Sequence, residues 1–247
     1  MDFHSSLHNK KHDFINEYSK SLLEFVPIKK DQSILDLGCG TGTLTAELAQ
    51  RAHKVIGLDY SASAIATAKT QFPDIEFNVC DISHLSFENQ WDVVFSHAVF
   101  HWIADHNTLL QGIYKVLKKH GDLICEFGGN GNLAIIEGAF AKVLKEHGYD
   151  YTPRFYAYTV ETFRQSLEDN GFIVEKIYDF DKPKMLDGGK DGLVLWMKQF
   201  FASKLVEIPE ETQTIIFKKV EALTKETLWN GTQWKVDHRR LRAIAHK

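Results

Sequence analysis

Residues 34–42, Ile34-Leu35-Asp36-Leu37-Gly38-Cys39-Gly40-Thr41-Gly42, set three glycines at alternate positions behind an apolar run that contains an acid. Glycines let a backbone approach a ligand closely and adopt positive φ without a Cβ clash. Two further acids stand at matching places. Asp59 closes Val55-Ile56-Gly57-Leu58-Asp59, and Asp81 follows the next apolar run in Val79-Cys80-Asp81-Ile82. If each run is a parallel strand, the loop and both acids sit at carboxyl ends, where open α/β sheets bind ligands. There Asp59 can accept hydrogen bonds from two ribose hydroxyls, and Asp81 is placed to meet an adenine edge. Taken alone, each feature has a plainer reading: a tight turn without a ligand, or a solvated loop carboxylate. Three such features in register are hard to attribute to chance.

The spacing discriminates between nucleotide-like ligands. Dinucleotide sites favour G-x-G-x-x-G and seat a pyrophosphate on a helix N-terminus. This loop reads G-x-G-x-G, and Asp36 precedes it. An acid there repels a pyrophosphate and suits the cationic amino group of a methionine. The reading therefore favours S-adenosylmethionine, with S-adenosylhomocysteine as product, over a nicotinamide cofactor. No G-K-[ST] follows the loop, which argues against a Walker-type phosphate site. A sulfonium methyl is already electrophilic, so the protein's main task is to hold the acceptor in line and exclude water. A carboxylate acceptor needs no general base; a phenol, hydroxyl or ammonium does.

Apolar periodicity supplies the elements that position these residues. Strands are expected over 33–37, 54–58, 75–79, 92–96, 122–127 and 171–181, with a last strand in the tail over 234–245. Helical spacing is read over 12–26, 43–52, 62–71, 105–117, 132–147 and 190–227. The alternation in the first half predicts a parallel sheet with helices on both faces. The expectation is an α/β, Rossmann-like domain spanning 1–247, with a helical cap over 1–30, a cofactor-binding core over 31–130 and a helical insertion over 185–230.

Bulk properties narrow the partners. The 247 residues carry 29 Lys and Arg against 33 Asp and Glu, a formal charge of −4. That balance gives no electrostatic reason to expect nucleic acid. Cys39, Cys80 and Cys125 form no CxxC pair, and the opening MDFHSSLHNKKHDF lacks a signal-peptide core, so a reducing cytoplasm is expected. No apolar run approaches the ~20 residues that span a membrane. His4, His8 and His12 recur every four residues, but without a partner cluster they read as a chain end rather than a metal site.

ILDLGCGTG, GLDYSASAI, CDI and DVVFSHAVFHWIADH together resemble the class I S-adenosylmethionine-dependent methyltransferases, and the fourth segment is similar to the trans-aconitate methyltransferase branch. The resemblance implies a seven-stranded, mostly parallel sheet whose last strand is antiparallel. It gives Asp36 and the loop backbone at Gly38, Cys39, Gly40 and Gly42 to the methionine part of the cofactor. Asp59 falls to the ribose, with Tyr60 and Ile65 beside the adenosine. Asp81 takes the adenine amino group and Ile82 packs on the ring. Ser96 and His97 line the cleft near the methyl group. Where relatives carry an aromatic N-terminal cap this chain has Leu7 and His8.

On the acceptor side, His97 and His101 are candidate bases or substrate contacts, with locally satisfied histidines as the alternative. Arg154, in an aromatic-rich run with Tyr156, can grip a carboxylate or be a solvated loop residue. Trp196 heads an apolar helix face (Met197, Phe200, Phe201) that reads as a lid or as core. The run Arg239-Arg240-Leu241-Arg242 is expected as the charged face of an edge strand. The resulting expectation is methyl transfer to a small molecule, with O-methylation of a carboxylate preferred. A carrier-protein thioester acid and a non-catalytic cofactor-binding regulator are the alternatives. A nucleic-acid methyltransferase is disfavoured, because Ser96-His97-Ala98-Val99 stands where an Asn/Asp-Pro-Pro-aromatic tetrad would hold a flipped base. No metal and no membrane partner are expected.

Overall fold

The computed structural model describes residues 21–29, 31–85, 88–153 and 155–247. Leu7, His4, His8, His12 and Arg154, and most of the helix expected over 12–26, lie outside the described residues. Contacts divide the chain into two compact units. The first comprises the chain up to Gly128 with Tyr158–Asp179 and Leu241–Lys247; the second comprises Gly129–Ala157 and Phe180–Arg240.

In the first unit, strands β1 (Ser33–Leu37), β2 (Lys54–Asp59), β3 (Glu76–Val79), β4 (Trp91–His97) and β5 (Leu117–Gly128) alternate with helices α1 (Thr43–Ala49), α2 (Ala62–Gln71) and α3 (His106–Val116). Helix α4 (Ala134–Glu146) follows in the second unit, then α5 (Val160–Asp169) and β6 (Ile173–Asp181). The last strand, numbered β9, is Arg239–His246. The seven-stranded sheet has the order β3-β2-β1-β4-β5-β9-β6. Pairs β1–β2, β1–β4, β2–β3 and β4–β5 are parallel. Strand β9 runs against β5: His120 N–H donates to Lys247 O and Lys247 N–H to Gly121 O, each at 3.0 Å. The expected Rossmann-like architecture with its antiparallel last strand is therefore the observed one.

Parallel strands covered on both faces read as continuous apolar runs, and here alternate residues feed two cores. Ile34, Phe95, Ile124 and Ile244 face Leu22 and Leu23 in one. Leu35, Val94, Leu123 and Ala243 face Leu109, Ile113 and Phe163 in the other. Because successive side chains point to opposite faces, the first face continues toward the strands' carboxyl ends as Asp36, His97 and Glu126, and on the antiparallel strand as Arg242.

One expectation is corrected. The arginine run of 239–242 is not the face of an edge strand, because β9 inserts between β5 and β6. Arg240 and Arg242 are buried accordingly, and only Arg239 is substantially exposed, paired to Asp181 at 2.9 Å. A strand's neighbours depend on where the chain returns, and alternation within the strand does not encode that.

In the second unit, the expected long helical stretch is three helices: α6 (Gly192–Phe200), α7 (Ala202–Leu205) and α8 (Glu210–Leu228). Pro209 marks the last break, since proline tolerates the start of a helix and not its interior. Short strands β7 (Lys184–Met185) and β8 (Lys235–Val236) pair antiparallel. The core of this unit joins Ile136 and Phe140 of α4, Leu193 and Met197 of α6, and Ile216 and Val220 of α8. Phe140 stacks on Phe201 with centroids 3.9 Å apart. Among the described residues no helix is long and apolar enough to cross a membrane.

Phe140 is fully buried in that core. Truncating such a ring removes its transfer energy and leaves a cavity, so Phe140→Ala should lower stability by about 3–5 kcal/mol. Urea unfolding followed by tryptophan fluorescence measures this; a loss under about 1 kcal/mol would contradict the packing described.

Candidate functional site

The glycine loop leaves β1 and is tied at once to β2. Gly38 N–H and Cys39 N–H both donate to Leu58 O, at 2.7 and 3.0 Å. Gly38 has φ +76°, and a Cβ there would lie 2.1 Å from Val99 Cγ2, so glycine is required on both counts. Gly40 is also at positive φ (+55°), but a Cβ on it would meet nothing within 4 Å. That side of the loop is open.

Asp59 clamps the loop from the end of β2. Its Oδ2 accepts from Gly40 N–H and its Oδ1 from Ser61 N–H, both at 2.8 Å. Ser61 in turn caps α2, accepting from Ala64 N–H at 3.2 Å. Asp36 is treated differently. It is buried, and Thr45 Oγ1 donates to its Oδ2 at 2.7 Å. Burial pushes its carboxyl up to about 7, with the Asp59 charge adding to the rise and the Thr45 bond opposing it. Asp81 follows β3 and is exposed. Its Oδ1 accepts from Ser83 N–H at 2.9 Å, which chiefly holds the carboxyl below its ordinary range, with His84 3.6 Å away. A cavity of about 460 Å³ is lined by Asp81, Ser83, His84, Trp102, Ile103, Ala104, Asp105 and Thr108.

On the face that carries Asp36, His97 and Glu126 are register partners across β4 and β5. His97 Nε2 lies 3.6 Å from Glu126 Oε1. Glu126 is 1% exposed and Arg242 4%. Arg242 Nε donates to Glu126 Oε2 at 2.8 Å, and Nη2 donates to the same oxygen. The guanidinium also donates to Tyr178 Oη at 3.1 Å, to Ser21 O at 3.3 Å and to Ser21 Oγ at 2.7 Å.

Residues 35–125 match the family model described as a methyltransferase domain. An uncharacterized methyltransferase of Schizosaccharomyces pombe is 28% identical over 95% of this chain and 94% of its own length. The trans-aconitate 2-methyltransferase of Deinococcus radiodurans is 30% identical over 73% of each chain. The chain belongs to the class I S-adenosylmethionine-dependent methyltransferases. The crystal structure of the YcgJ protein of Bacillus subtilis shares the fold, with a TM-score of 0.68 over 94% of this chain and 98% of that one at 13% identity. The chain is thus an S-adenosylmethionine-dependent enzyme, as the loop spacing and Asp36 led one to expect.

The methyltransferase brings Asp36, Gly38, Cys39, Gly40, Gly42 and Asp59 together around the loop. Ile65 and Ile82 are buried, in a small cluster with Cys39 and Phe77 and in the main core respectively, whereas Tyr60 is exposed. Ser96 is buried and donates to Leu37 O at 2.9 Å, bracing β4 against β1. His101 sits in the 3-10 turn Phe100–Trp102, buried, with Nδ1 accepting from Gly128 N–H at 3.1 Å. Tyr156 and Trp196 belong to the second unit; Tyr156 is exposed, and Trp196 stacks on Phe200 at 4.4 Å. Among the described residues no group of three or more His, Cys, Asp or Glu could hold a metal ion. Glu126 and Tyr178 escaped sequence reasoning, and Arg242 was read there as part of a charged edge-strand face. An acid inside the apolar run Leu123-Ile124-Cys125-Glu126-Phe127 was the available signal, since a charge at a core position demands a partner.

Asp36 generates a stability prediction for the cofactor-free protein. Its folded pKa of about 7 exceeds the ordinary 3.8. Between those values the unfolded chain binds fewer protons, so the group lowers stability progressively as pH rises and most above pH 7. Asp36→Asn should therefore be more stable than wild type at pH 8, by an amount on the order of 1–3 kcal/mol. At pH 4 the two should nearly coincide. Urea midpoints at both pH values test this, and an advantage independent of pH would contradict it.

Proposed function

We propose that this methyltransferase methylates a small-molecule acceptor. The observation that carries the proposal is the row at the strand ends. Asp36, Glu126 and Arg242, buried, and the partly buried His97 offer a few functional groups of mixed charge, where a nucleic-acid enzyme would need a basic groove. The formal charge of −4 points the same way. In this reading Asp36 receives the methionine ammonium. A buried carboxyl already raised by desolvation has most to gain from a cation, so the residue fits the group. The loop backbone from Gly38 to Gly42 follows the methionine chain. Asp59 spends one acceptor position of each oxygen on an amide and keeps another for a ribose hydroxyl. Tyr60 and Ile65 flank the adenosine, Asp81 and Ile82 its base, and Ser96 and His97 the methyl group.

O-methylation of a carboxylate is the acceptor chemistry that the similarity to trans-aconitate 2-methyltransferases supports. A second reading, an acceptor that must lose a proton, is favoured by the histidine held beside Glu126. His101 is the lesser candidate for a base, because its Nδ1 is engaged by the Gly128 amide. In either reading Arg154, Tyr156 and Trp196 are the acceptor-side residues to vary.

The test is transfer of isotopically labelled methyl from S-adenosylmethionine to a panel of carboxylates, phenols, amines and a carrier-protein thioester. Label should appear in a small molecule; label confined to nucleic acid would overturn the proposal. Asp59→Ala should weaken S-adenosylhomocysteine binding by about tenfold or more, read by calorimetry, because a charge-assisted hydrogen-bond pair and the loop clamp are lost together. Trp196→Ala should raise the acceptor KM with little change in cofactor affinity. Equal loss of both, with a lower melting temperature, would assign the ring to the core of the second unit instead.

A further inference from the structure

Three arginines stand near the start of β9, and two of them have partners. Arg239 is paired to Asp181 at 2.9 Å, and Arg242 is held by Glu126, Tyr178 and Ser21. Arg240 lies between them with 7% of its surface exposed. Among the described residues its guanidinium has no ion pair, hydrogen bond or ring contact, and Nε is sealed off without an acceptor. The two terminal nitrogens are not enclosed in the same way. A guanidinium cannot shed its proton to escape burial. A desolvated charge without a counter-ion therefore weighs against the fold, unless something from outside supplies the missing anion.

The neighbouring chain does not supply it. Gly129 N–H donates to Arg239 O at 3.1 Å, and Asn132 Oδ1 accepts from Arg239 N–H at 3.2 Å. The segment laid along the start of β9 is thus Gly129-Asn130-Gly131-Asn132, which contains no acid. Side chains alternate along a strand, so Arg240 shares the face of Arg242. Because β9 runs against β5, its first residues lie toward the carboxyl ends of the parallel strands, where open α/β sheets bind ligands. Strands β4 and β5 separate β9 from β1, which carries the glycine loop.

We propose that Arg240 is a substrate-binding residue of this methyltransferase, and that it receives a carboxylate of the acceptor other than the group that takes the methyl. The inference rests on the small-molecule reading above and narrows its acceptor to a carboxylate-bearing molecule. Terminal guanidinium nitrogens and a carboxylate match as a planar, bidentate pair. The cation has already lost its water in the free protein, so binding does not have to strip it. An oxygen held by a guanidinium has its charge drawn toward the cation and is a poorer nucleophile. The held carboxylate is therefore an anchor, and its binding energy serves to place a second group of the acceptor against the sulfonium. Where that second group is itself a carboxylate, the acceptor is a di- or tricarboxylate. The methionine carboxylate of the cofactor carries the same charge, and the two strands between β9 and the glycine loop argue against it.

Binding without turnover tests this. Protein saturated with S-adenosylhomocysteine is titrated by calorimetry with trans-aconitate, succinate and 4-hydroxybenzoate. Wild type should bind at least one of the three. Arg240→Met, which keeps an apolar stem and removes the charge, should weaken that binding by about tenfold or more, and Arg240→Lys by less. Affinity for S-adenosylhomocysteine without acceptor should stay within about twofold of wild type. Loss of that affinity instead would give Arg240 to the cofactor's carboxylate and overturn the inference, as would failure of all three carboxylates to bind wild type.

Melting temperatures separate ligand binding from a structural part. Without ligand, Arg240→Met should melt no lower than wild type, because an apolar side chain replaces a buried unpaired charge. The bound carboxylate should raise the melting temperature of wild type and not that of the variant. A variant that melts lower and loses cofactor and carboxylate together would assign Arg240 to the core and overturn the inference. With labelled S-adenosylmethionine, Arg240→Met should raise the KM for the carboxylate by about tenfold or more, with a smaller change in kcat. Label confined to uncharged phenols or to amines would overturn the carboxylate class and leave the small-molecule reading standing. Label in no small molecule would count against that reading, and the calorimetry would still decide whether Arg240 holds a carboxylate.

Discussion

Burial of the central sheet on both faces is the constraint on which the rest depends. Strands β1 and β4, and β5 from Leu123 to Gly128, have almost no solvent along their length, so every side chain in their middle must be apolar or fully paired. Chemistry is thereby pushed to the carboxyl ends, where the chain leaves the sheet through loops. The register of β1, β4 and β5 then decides which polar groups meet. Asp36, His97 and Glu126 share a face with Ile34, Val93, Phe95 and Ile124, with Asp36 in register with Phe95 and the His97–Glu126 pair one step nearer the carboxyl ends. The apolar core below and the polar row above are one periodic pattern.

Two buried carboxyls in that row solve the same problem in opposite ways. Glu126 has Arg242 as a buried counter-ion. Asp36 instead accepts from the Thr45 hydroxyl, and burial carries it to about 7. A permanently paired acid suits a lasting structural duty, such as fixing a neighbour's orientation. An acid left short of a partner suits a ligand that brings the missing charge, as a methionine ammonium does. In the proposed role of Asp36 the cation offsets the cost of its burial, and cofactor affinity would then depend on pH through this side chain.

Much of this was legible in the sequence, for reasons that differ by residue. Leu35, Leu37, Val94 and Leu123 announce buried parallel strands because continuous apolar runs have no other common use. Asp59 and Asp81 could be placed because each directly follows such a run. Helix α5 was not read: in Val-Glu-Thr-Phe-Arg-Gln-Ser-Leu-Glu-Asp only Phe163 and Leu167 are buried, too few to set a period. Its start is marked by a threonine-only capping box, in which Thr159 and Thr162 cap each other, where a glutamate or glutamine is the usual signal. Nor was Arg242 understood. Its meaning depends on Glu126, 116 positions away, and on β9 returning to the interior of the sheet. Local pattern carries strands and turns; it does not carry which distant charges will be buried together.

That pairing bears on the direction of charge movement during methyl transfer. A carboxylate acceptor would annihilate its charge against the sulfonium and leave no new cation to shelter. A protic acceptor conserves the positive charge and moves it from sulfur to the group that takes the proton. Glu126 is held 3.6 Å from His97 by an arginine braced on β6 and on Ser21. Maintaining an ion pair at 1% and 4% exposure is costly to the fold compared with an apolar substitute of the same volume. It stands beside a strand-end histidine, on the face of the sheet that also carries Asp36.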